Sequence, residues 1–227
     1  MNTARTPTLH TLPVNGIDLA VFEWPAHGAD ADLPTLVFAH ATGFHARVWD
    51  AVIEHFPSHR VLAFDMRGHG RSGGGPVDHW GLMVEDVAQA IDRLAIAGAI
   101  GIGHSMGGHV LLDCAAKRPD AFTRLVLFDP VILAPEFYAP APPLFTADNP
   151  HPTARRKRDF ASAEAMIERF RTRDPYCLFE PRVFEDYCRH GLLPAPGGEG
   201  MVLACAPEVE GSIYASSRSN TAILAAA

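Results

Sequence analysis

The sequence has no long apolar run and no apolar segment near its start. Nowhere in its 227 residues does a stretch approach the roughly 18 apolar residues of a membrane-spanning helix. The first twelve residues, MNTARTPTLHTL, contain no apolar core of the kind found in a secretory signal. We therefore expect a cytoplasmic protein without a membrane partner.

Basic charge is also scarce. Lysine and arginine together number 19 against 26 acidic residues, which gives a net charge of −7. Proteins that bind nucleic acids usually present a basic surface, so we expect no nucleic-acid partner. The one basic cluster, Arg155 to Arg158, lies in a Pro- and Ala-rich stretch and is interpreted as a solvated loop or helix start.

Cysteine pairs and nucleotide-binding motifs are missing as well. The four cysteines are scattered without a CxxC pair, which argues against zinc and against a redox pair. No Gly-Lys-Ser/Thr occurs, and the run from Gly101 to Met106 breaks G-x-G-x-x-G at its third glycine. The twelve histidines show no metal-ligand spacing. We predict no metal site and no cofactor.

Four short apolar runs are present instead. Thr35–His40, Arg60–Asp65, Ala99–Gly103 and Leu125–Asp129 lack polar alternation, which is typical of parallel strands buried on both faces. Stretches with helical periodicity separate them, at Arg47–Phe56, Leu82–Ile96 and Ser105–Lys117. This alternation predicts an α/β fold with a doubly wound, mostly parallel sheet. Asn15-Gly16 lies between two apolar runs near the N-terminus, which predicts a β-hairpin ahead of the parallel strands.

The composition changes after Pro130, and a chain of this length suits one domain that carries an insertion. We predict a core sheet over residues 1–132 and a helical lid over 133–206, with helices near Ala161–Arg173 and Pro181–His190. Residues 207–227 are predicted as a C-terminal helix, near Pro207–Ser217, that leads toward an absent further strand. The sheet would then end at Leu125–Asp129. Its open apolar edge predicts low solubility, a homodimer, or shielding by the C-terminal tail.

The segment Gly103-His104-Ser105-Met106-Gly107 fits the pattern G-x-S-x-G. It follows an apolar run and precedes a helical stretch, which is the strand–turn–helix context that this motif requires. A sharp turn there would lift the Ser105 hydroxyl clear of the sheet, and glycines leave room for it. The start of the helix would place free N–H groups near the serine.

Two further segments carry a family resemblance. His40-Ala41-Thr42-Gly43-Phe44 follows the first buried run, and Asp65-Met66-Arg67-Gly68-His69-Gly70-Arg71-Ser72 follows the second. With the serine motif, they resemble the α/β-hydrolase superfamily in order and spacing, although Ala41 stands where glycine is usual. The resemblance covers about residues 10–220. It implies an α/β-hydrolase fold, shortened at its C-terminus.

The resemblance also implies roles for individual residues. Ser105 matches the nucleophile, and the backbone N–H groups of Met106 and Thr42 match the oxyanion hole. Asp129 occupies one of two positions at which the family places its acid, and the alternative is that it caps the following turn. Asp65 and Arg67 are interpreted as braces for the loop beside the site.

The usual catalytic histidine has no counterpart in the sequence. Only His109, His151 and His190 follow Ser105, and none stands at the family position. One hypothesis is a serine hydrolase that cleaves a small carboxylic ester or a related acyl or C–C bond, impaired by the missing base. The other is a non-catalytic protein of the same fold that binds a small apolar ligand, or a fragment.

Overall fold

A six-stranded sheet organises the chain. The structure is a computed structural model that describes residues 5–27, 33–138, 145–146 and 148–227. The strands are β1 (Thr8–Val14), β2 (Ile17–Trp24), β3 (Leu36–Ala39), β4 (Val61–Phe64), β5 (Ala99–His104), β6 (Phe122–Phe128), β7 (Asp159–Phe160), β8 (Leu192–Pro194) and β9 (Met201–Leu203). The α-helices are α1 (Asp50–Ile53), α2 (Gly81–Arg93), α3 (Met106–Lys117), α4 (Ala163–Phe170), α5 (Pro181–His190), α6 (Pro207–Ala215) and α7 (Ile223–Ala226).

The main sheet has the strand order β1-β2-β4-β3-β5-β6. β4, β3, β5 and β6 run parallel, whereas β1 and β2 form an antiparallel hairpin whose second strand joins β4. Asn15 and Gly16 turn the hairpin with φ of 41° and 76°, a conformation that Asn-Gly tolerates well. The predicted α/β fold with a mostly parallel sheet is therefore confirmed.

Helices cover the two faces of the sheet unequally. On one face, α2 and α3 bury the larger core against β3 and β4, with Val37 and Phe64 fully enclosed. On the other face, a 3₁₀ turn at Ala46–Trp49 and the short α1 cover Phe38 and its neighbours. The single helix predicted over Arg47–Phe56 was wrong in this respect, because its first turn is 3₁₀.

The outer strand β6 also departs from the prediction. It was expected to be buried on both faces, but Val126 and Phe128 are 45% and 52% exposed. They line an apolar groove of about 310 Å³ on the face opposite α3, together with Trp49 and Ile102. The C-terminal residues do not line this groove, because Ile223 is buried beside α3. Val126 and Phe128 are exposed because, within the described chain, no helix packs on β6 on the face opposite α3. The homodimer stays a prediction.

The 133–206 segment contains more than helices. α4 and α5 enclose a small core with Phe160, and β7, β9 and β8 form a three-stranded antiparallel sheet beside it. The two helices predicted for this segment are present as α4 and α5, whereas the small sheet was not predicted. Strands of two or three residues are too short to show a periodicity. Among the described residues, no helix has both the length and the apolar character needed to cross a membrane.

Two acidic side chains come close where α5 packs on the 46–54 region. Burial raises the pKa of Asp186 to about 6, and the neighbouring carboxylate of Asp50 raises it further. The buried Oδ2 atom of Asp186 accepts no hydrogen bond within the described residues. The nearest cation, Arg182, has its Nε 4.0 Å from that atom. At neutral pH this carboxylate therefore costs stability.

We expect Asp186→Asn to raise the free energy of unfolding at pH 7.5 by about 1–2 kcal/mol. The folded protein holds the proton more tightly than the unfolded chain, so wild-type stability falls as the pH rises from about 4 to about 6. Urea unfolding at several pH values would show the gain above pH 6 and its loss near pH 3.5. Asp120→Asn, at an exposed position, is the control. A gain that did not change with pH would contradict this account.

Candidate active site

Ser105 lies in a strained turn between β5 and α3. Its φ and ψ are 53° and −116°, a conformation that non-glycine residues adopt only where the surroundings enforce it. The surroundings are tight on both sides. A methyl group on Gly103 would lie 2.7 Å from Gly108 Cα, and one on Gly107 would lie 2.3 Å from Ala39 O. Small residues at these positions let the turn form and hold the serine at its apex.

Thr42 and Met106, the two predicted oxyanion residues, meet beside this turn. Thr42 Oγ1 lies 3.4 Å from Met106 Sδ, and both residues are buried. Within the described residues neither backbone N–H donates a hydrogen bond. Met106 is the first residue of α3, where the helix dipole adds positive potential. Both backbone N–H groups are therefore without an acceptor among the described residues, as an oxyanion hole would require of them.

Buried histidines hold the loop that carries Thr42, which we call the oxyanion loop (residues 41–45). Gly43 N–H donates to His69 Nε2 at 3.0 Å, and Met66 N–H donates to His40 Nε2 at 3.0 Å. Burial lowers the pKa of His69 to about 4 and that of His40 well below its ordinary value. Both rings therefore stay neutral and act as acceptors that fix the loop.

Asp65 and Arg67 brace the neighbouring loop. The Asp65 carboxylate accepts hydrogen bonds from Ala46 N–H at 2.7 Å and from Arg71 N–H at 2.8 Å. Arg67 pairs with the buried Asp86 of α2 at 2.6 Å. Both side chains are engaged in holding backbone or a helix, and neither has a bond to Ser105.

Asp129 and Ser105 are neighbours in space, because each directly follows one of two adjacent parallel strands, β6 and β5, that end side by side. His104 and Phe128 are paired across the two parallel strands, and Ser105 N–H donates to Phe128 O at 2.9 Å. Asp129 has a φ of 44° and an exposed side chain. Its carboxylate accepts no hydrogen bond within the described residues. The structure thus shows no capping bond from this side chain.

None of the imidazole rings of the three downstream histidines hydrogen-bonds the Ser105 hydroxyl. His109 donates from Nδ1 to Val131 O at 2.8 Å and accepts at Nε2 from Asn220 at 2.9 Å. The ring of His151 stacks on Tyr214, with centroids 4.4 Å apart. The ring of His190 lies beside the ring of His45, and burial lowers its pKa to about 4. No base for Ser105 is found among the described residues.

An apolar cavity of about 310 Å³ adjoins the oxyanion loop. Ala41 and Phe44 of that loop line it together with His104, the residue before Ser105. Phe179 and Val183 close it from the 133–206 segment. The cavity is large enough for a small ligand, and its apolar walls favour an uncharged one. Sequence reasoning missed Phe179 and Val183, because the pattern around them indicates only an amphipathic helix and its start.

Comparison with known proteins identifies the family. The model of the alpha/beta hydrolase family matches residues 36–212. A bifunctional esterase/perhydrolase from Acinetobacter calcoaceticus is 30% identical over 159 residues, which cover 67% of this chain and 52% of that protein. The lipase LipV of Mycobacterium tuberculosis is 34% identical over 93 residues, which cover 41% of this chain and 36% of the lipase. The chain thus spans about half, or less, of the length of these relatives.

A solved structure shows the same fold. The crystal structure of E-2-(acetamidomethylene)succinate hydrolase superposes with a TM-score of 0.73 at 20% identity. The superposition covers 97% of this chain and 76% of that one. The family model spans most of the sequence, and the superposed structure has the same overall fold. On these grounds the chain belongs to the α/β hydrolase family, and its lineage is one of hydrolytic enzymes.

Proposed function

We propose that this chain carries the nucleophile and the oxyanion hole of a serine hydrolase. One observation carries the proposal: Ser105 is held at a left-handed turn with the free N–H groups of Met106 and Thr42 beside it. The Ser105 hydroxyl would attack the carbonyl carbon of a small carboxylic ester, or of a related acyl or C–C substrate. The resulting oxyanion would accept hydrogen bonds from the two N–H groups.

The remaining steps follow from the chemistry of acyl transfer. As the tetrahedral intermediate collapses, the bond to the leaving alcohol breaks, the alcohol takes up a proton, and the acyl group stays on Ser105. Water then attacks the acyl-enzyme, releases the acid and restores the hydroxyl. Both steps need a base that takes the proton from the nucleophile. We propose Asp129 as the acid that would orient such a base, since its carboxylate is unbonded and lies level with Ser105.

The substrate class is inferred from the cavity beside the oxyanion loop. Its lining by Phe44, Phe179 and Val183 suits a small apolar acyl or alcohol group. An esterase and a lipase among the similar proteins support an ester. We propose no cofactor, because serine acyl transfer needs none.

A second candidate function is non-catalytic binding of a small apolar ligand. The observation that favours it is that, within the described residues, no histidine ring hydrogen-bonds the Ser105 hydroxyl. The cavity would serve such a binder as well as it serves an enzyme. The two candidates differ in whether the serine is reactive.

A fluorophosphonate probe separates the two. We expect slow labelling at Ser105, located by peptide mass spectrometry, and complete loss of labelling in Ser105→Ala. Ser58→Ala, which removes a hydroxyl far from the site in sequence, should label like the wild type. Labelling that persists in Ser105→Ala would refute the assignment. A folded wild type that the probe does not label at all would favour the ligand-binding candidate.

A further inference from the structure

A buried ion pair stands behind the oxyanion loop. Arg156 Nη1 lies 2.6 Å from Glu210 Oε2, and the two side chains are 17% and 5% exposed. The second guanidinium nitrogen of Arg156 donates to the hydroxyl groups of Tyr176 and Tyr187 at 3.1 and 2.9 Å. Arg156 had been interpreted as part of a solvated basic cluster, which was wrong for this residue. It joins the 133–206 segment to α6, which carries Glu210.

This cluster contacts three consecutive residues of the oxyanion loop. A methyl group on Gly43 would lie 2.8 Å from Glu210 Oε1, so the carboxylate lies directly against the Gly43 backbone. The ring of Phe44 packs on Tyr187 with centroids 5.1 Å apart. His45 Nε2 donates to Tyr187 O at 3.1 Å. The three contacted residues directly follow Thr42 in the sequence, so these contacts constrain the backbone next to Thr42.

The negative charge of Glu210 would destabilise an oxyanion near Thr42, whereas the positive charge of Arg156 would stabilise it. A carboxylate beside this loop, in surroundings of low dielectric, would oppose the negative charge that develops near Thr42 N–H. Arg156 compensates that charge and holds the carboxylate in place. Removing Arg156 alone would leave an unpaired buried carboxylate, which is costly. Removing both charges would leave no unpaired carboxylate in the interior.

We propose that Arg156 and Glu210 are positioning residues for the oxyanion loop. Because Arg156 belongs to the 133–206 segment, the way in which that segment packs against α6 and the oxyanion loop sets the position of Thr42 N–H. The inference rests on the proposed function for its catalytic consequence. The structural part, that the pair holds the loop, is independent of catalysis.

Amide hydrogen exchange tests the structural part. The N–H groups of Gly43, Phe44 and Ala46 are all hydrogen-bonded. In Arg156→Met we expect them to exchange at least tenfold faster than in the wild type. Arg182→Met, which breaks another ion pair of the same segment, that with Glu54, is the control and should leave the loop unchanged. Equal effects in both variants, or no effect in Arg156→Met, would overturn the proposal.

Labelling of Ser105 tests the catalytic part. We expect the fluorophosphonate rate to fall about tenfold to a hundredfold in Arg156→Met, as for a misplaced catalytic group. In Arg156→Met/Glu210→Gln it should return to within about threefold of the wild type. A double variant as slow as the single one would refute the charge compensation. If Arg156→Met does not fold, Tyr187→Phe, which keeps the ring and removes one bond to Arg156, replaces it. An unlabelled wild type would refute the proposed function, while exchange would still decide the positioning role.

Discussion

Hydrolysis of p-nitrophenyl butyrate by this chain is expected to be up to about 10⁶-fold slower in kcat than by an enzyme with a complete triad. The Ser105 hydroxyl hydrogen-bonds no histidine among the described residues, so no imidazole is placed to take its proton. The proposed oxyanion donors, the backbone N–H groups of Thr42 and Met106, donate to no other group among the described residues. Such donors and substrate binding alone leave about 10³–10⁴-fold acceleration over water.

His151→Ala and His190→Ala are the variants to measure beside the wild type. Both residues are engaged elsewhere, His151 with Tyr214 and His190 beside His45, so we expect neither change to alter the residual rate. Ser105→Ala should remove the part of the rate that depends on the nucleophile. Turnover near 10 s⁻¹, a typical enzyme value, that disappeared in one histidine variant would show that this histidine reaches the serine.

Gly107→Ala is expected to lower the free energy of unfolding by about 3 kcal/mol or more. The added methyl group would lie 2.3 Å from Ala39 O and 2.7 Å from His40 O. These are backbone atoms of and beside β3, so the overlap can be relieved only by moving α3 away from the sheet. Urea unfolding followed by circular dichroism measures the loss.

Gly75→Ala is the matched control for that change. A methyl group at Gly75 would meet nothing within 4 Å, and we expect a change within about 0.5 kcal/mol. If both variants unfolded at the same urea concentration, the close approach of α3 to β3 would not be a constraint on the fold.

The sequence predicted the centre of the fold well because its signals there are local. The strands of the parallel sheet are continuous apolar runs, and the turn at Ser105 needs glycines at fixed spacing, so both are visible in a short window. The Asn15-Gly16 hairpin is equally local. The nucleophile, the oxyanion residues and the acid remain proposals, since their roles depend on reactivity.

The features that the sequence did not predict depend on distant partners. Arg156 resembles a solvated charge until Glu210, on α6, is placed beside it. The exposure of Val126 and Phe128 follows from the lack of a helix on one face within the described chain, which no periodicity in β6 reveals. Asn220 holds His109 and Asp113 through single hydrogen bonds. No local pattern marks such a residue.

The open side of β6 has a consequence for the local stability of the proposed site. Ser105 follows β5, which is paired with β3 on one side and β6 on the other. Asp129 follows β6, which among the described residues is paired on one side and is half-exposed on one face. The free energy needed to open a segment falls with the buried contacts and hydrogen bonds that hold it. We therefore expect the strand end at Asp129, the proposed acid, to open at lower cost than the turn at Ser105, although the bond from Ser105 N–H to Phe128 O links the two.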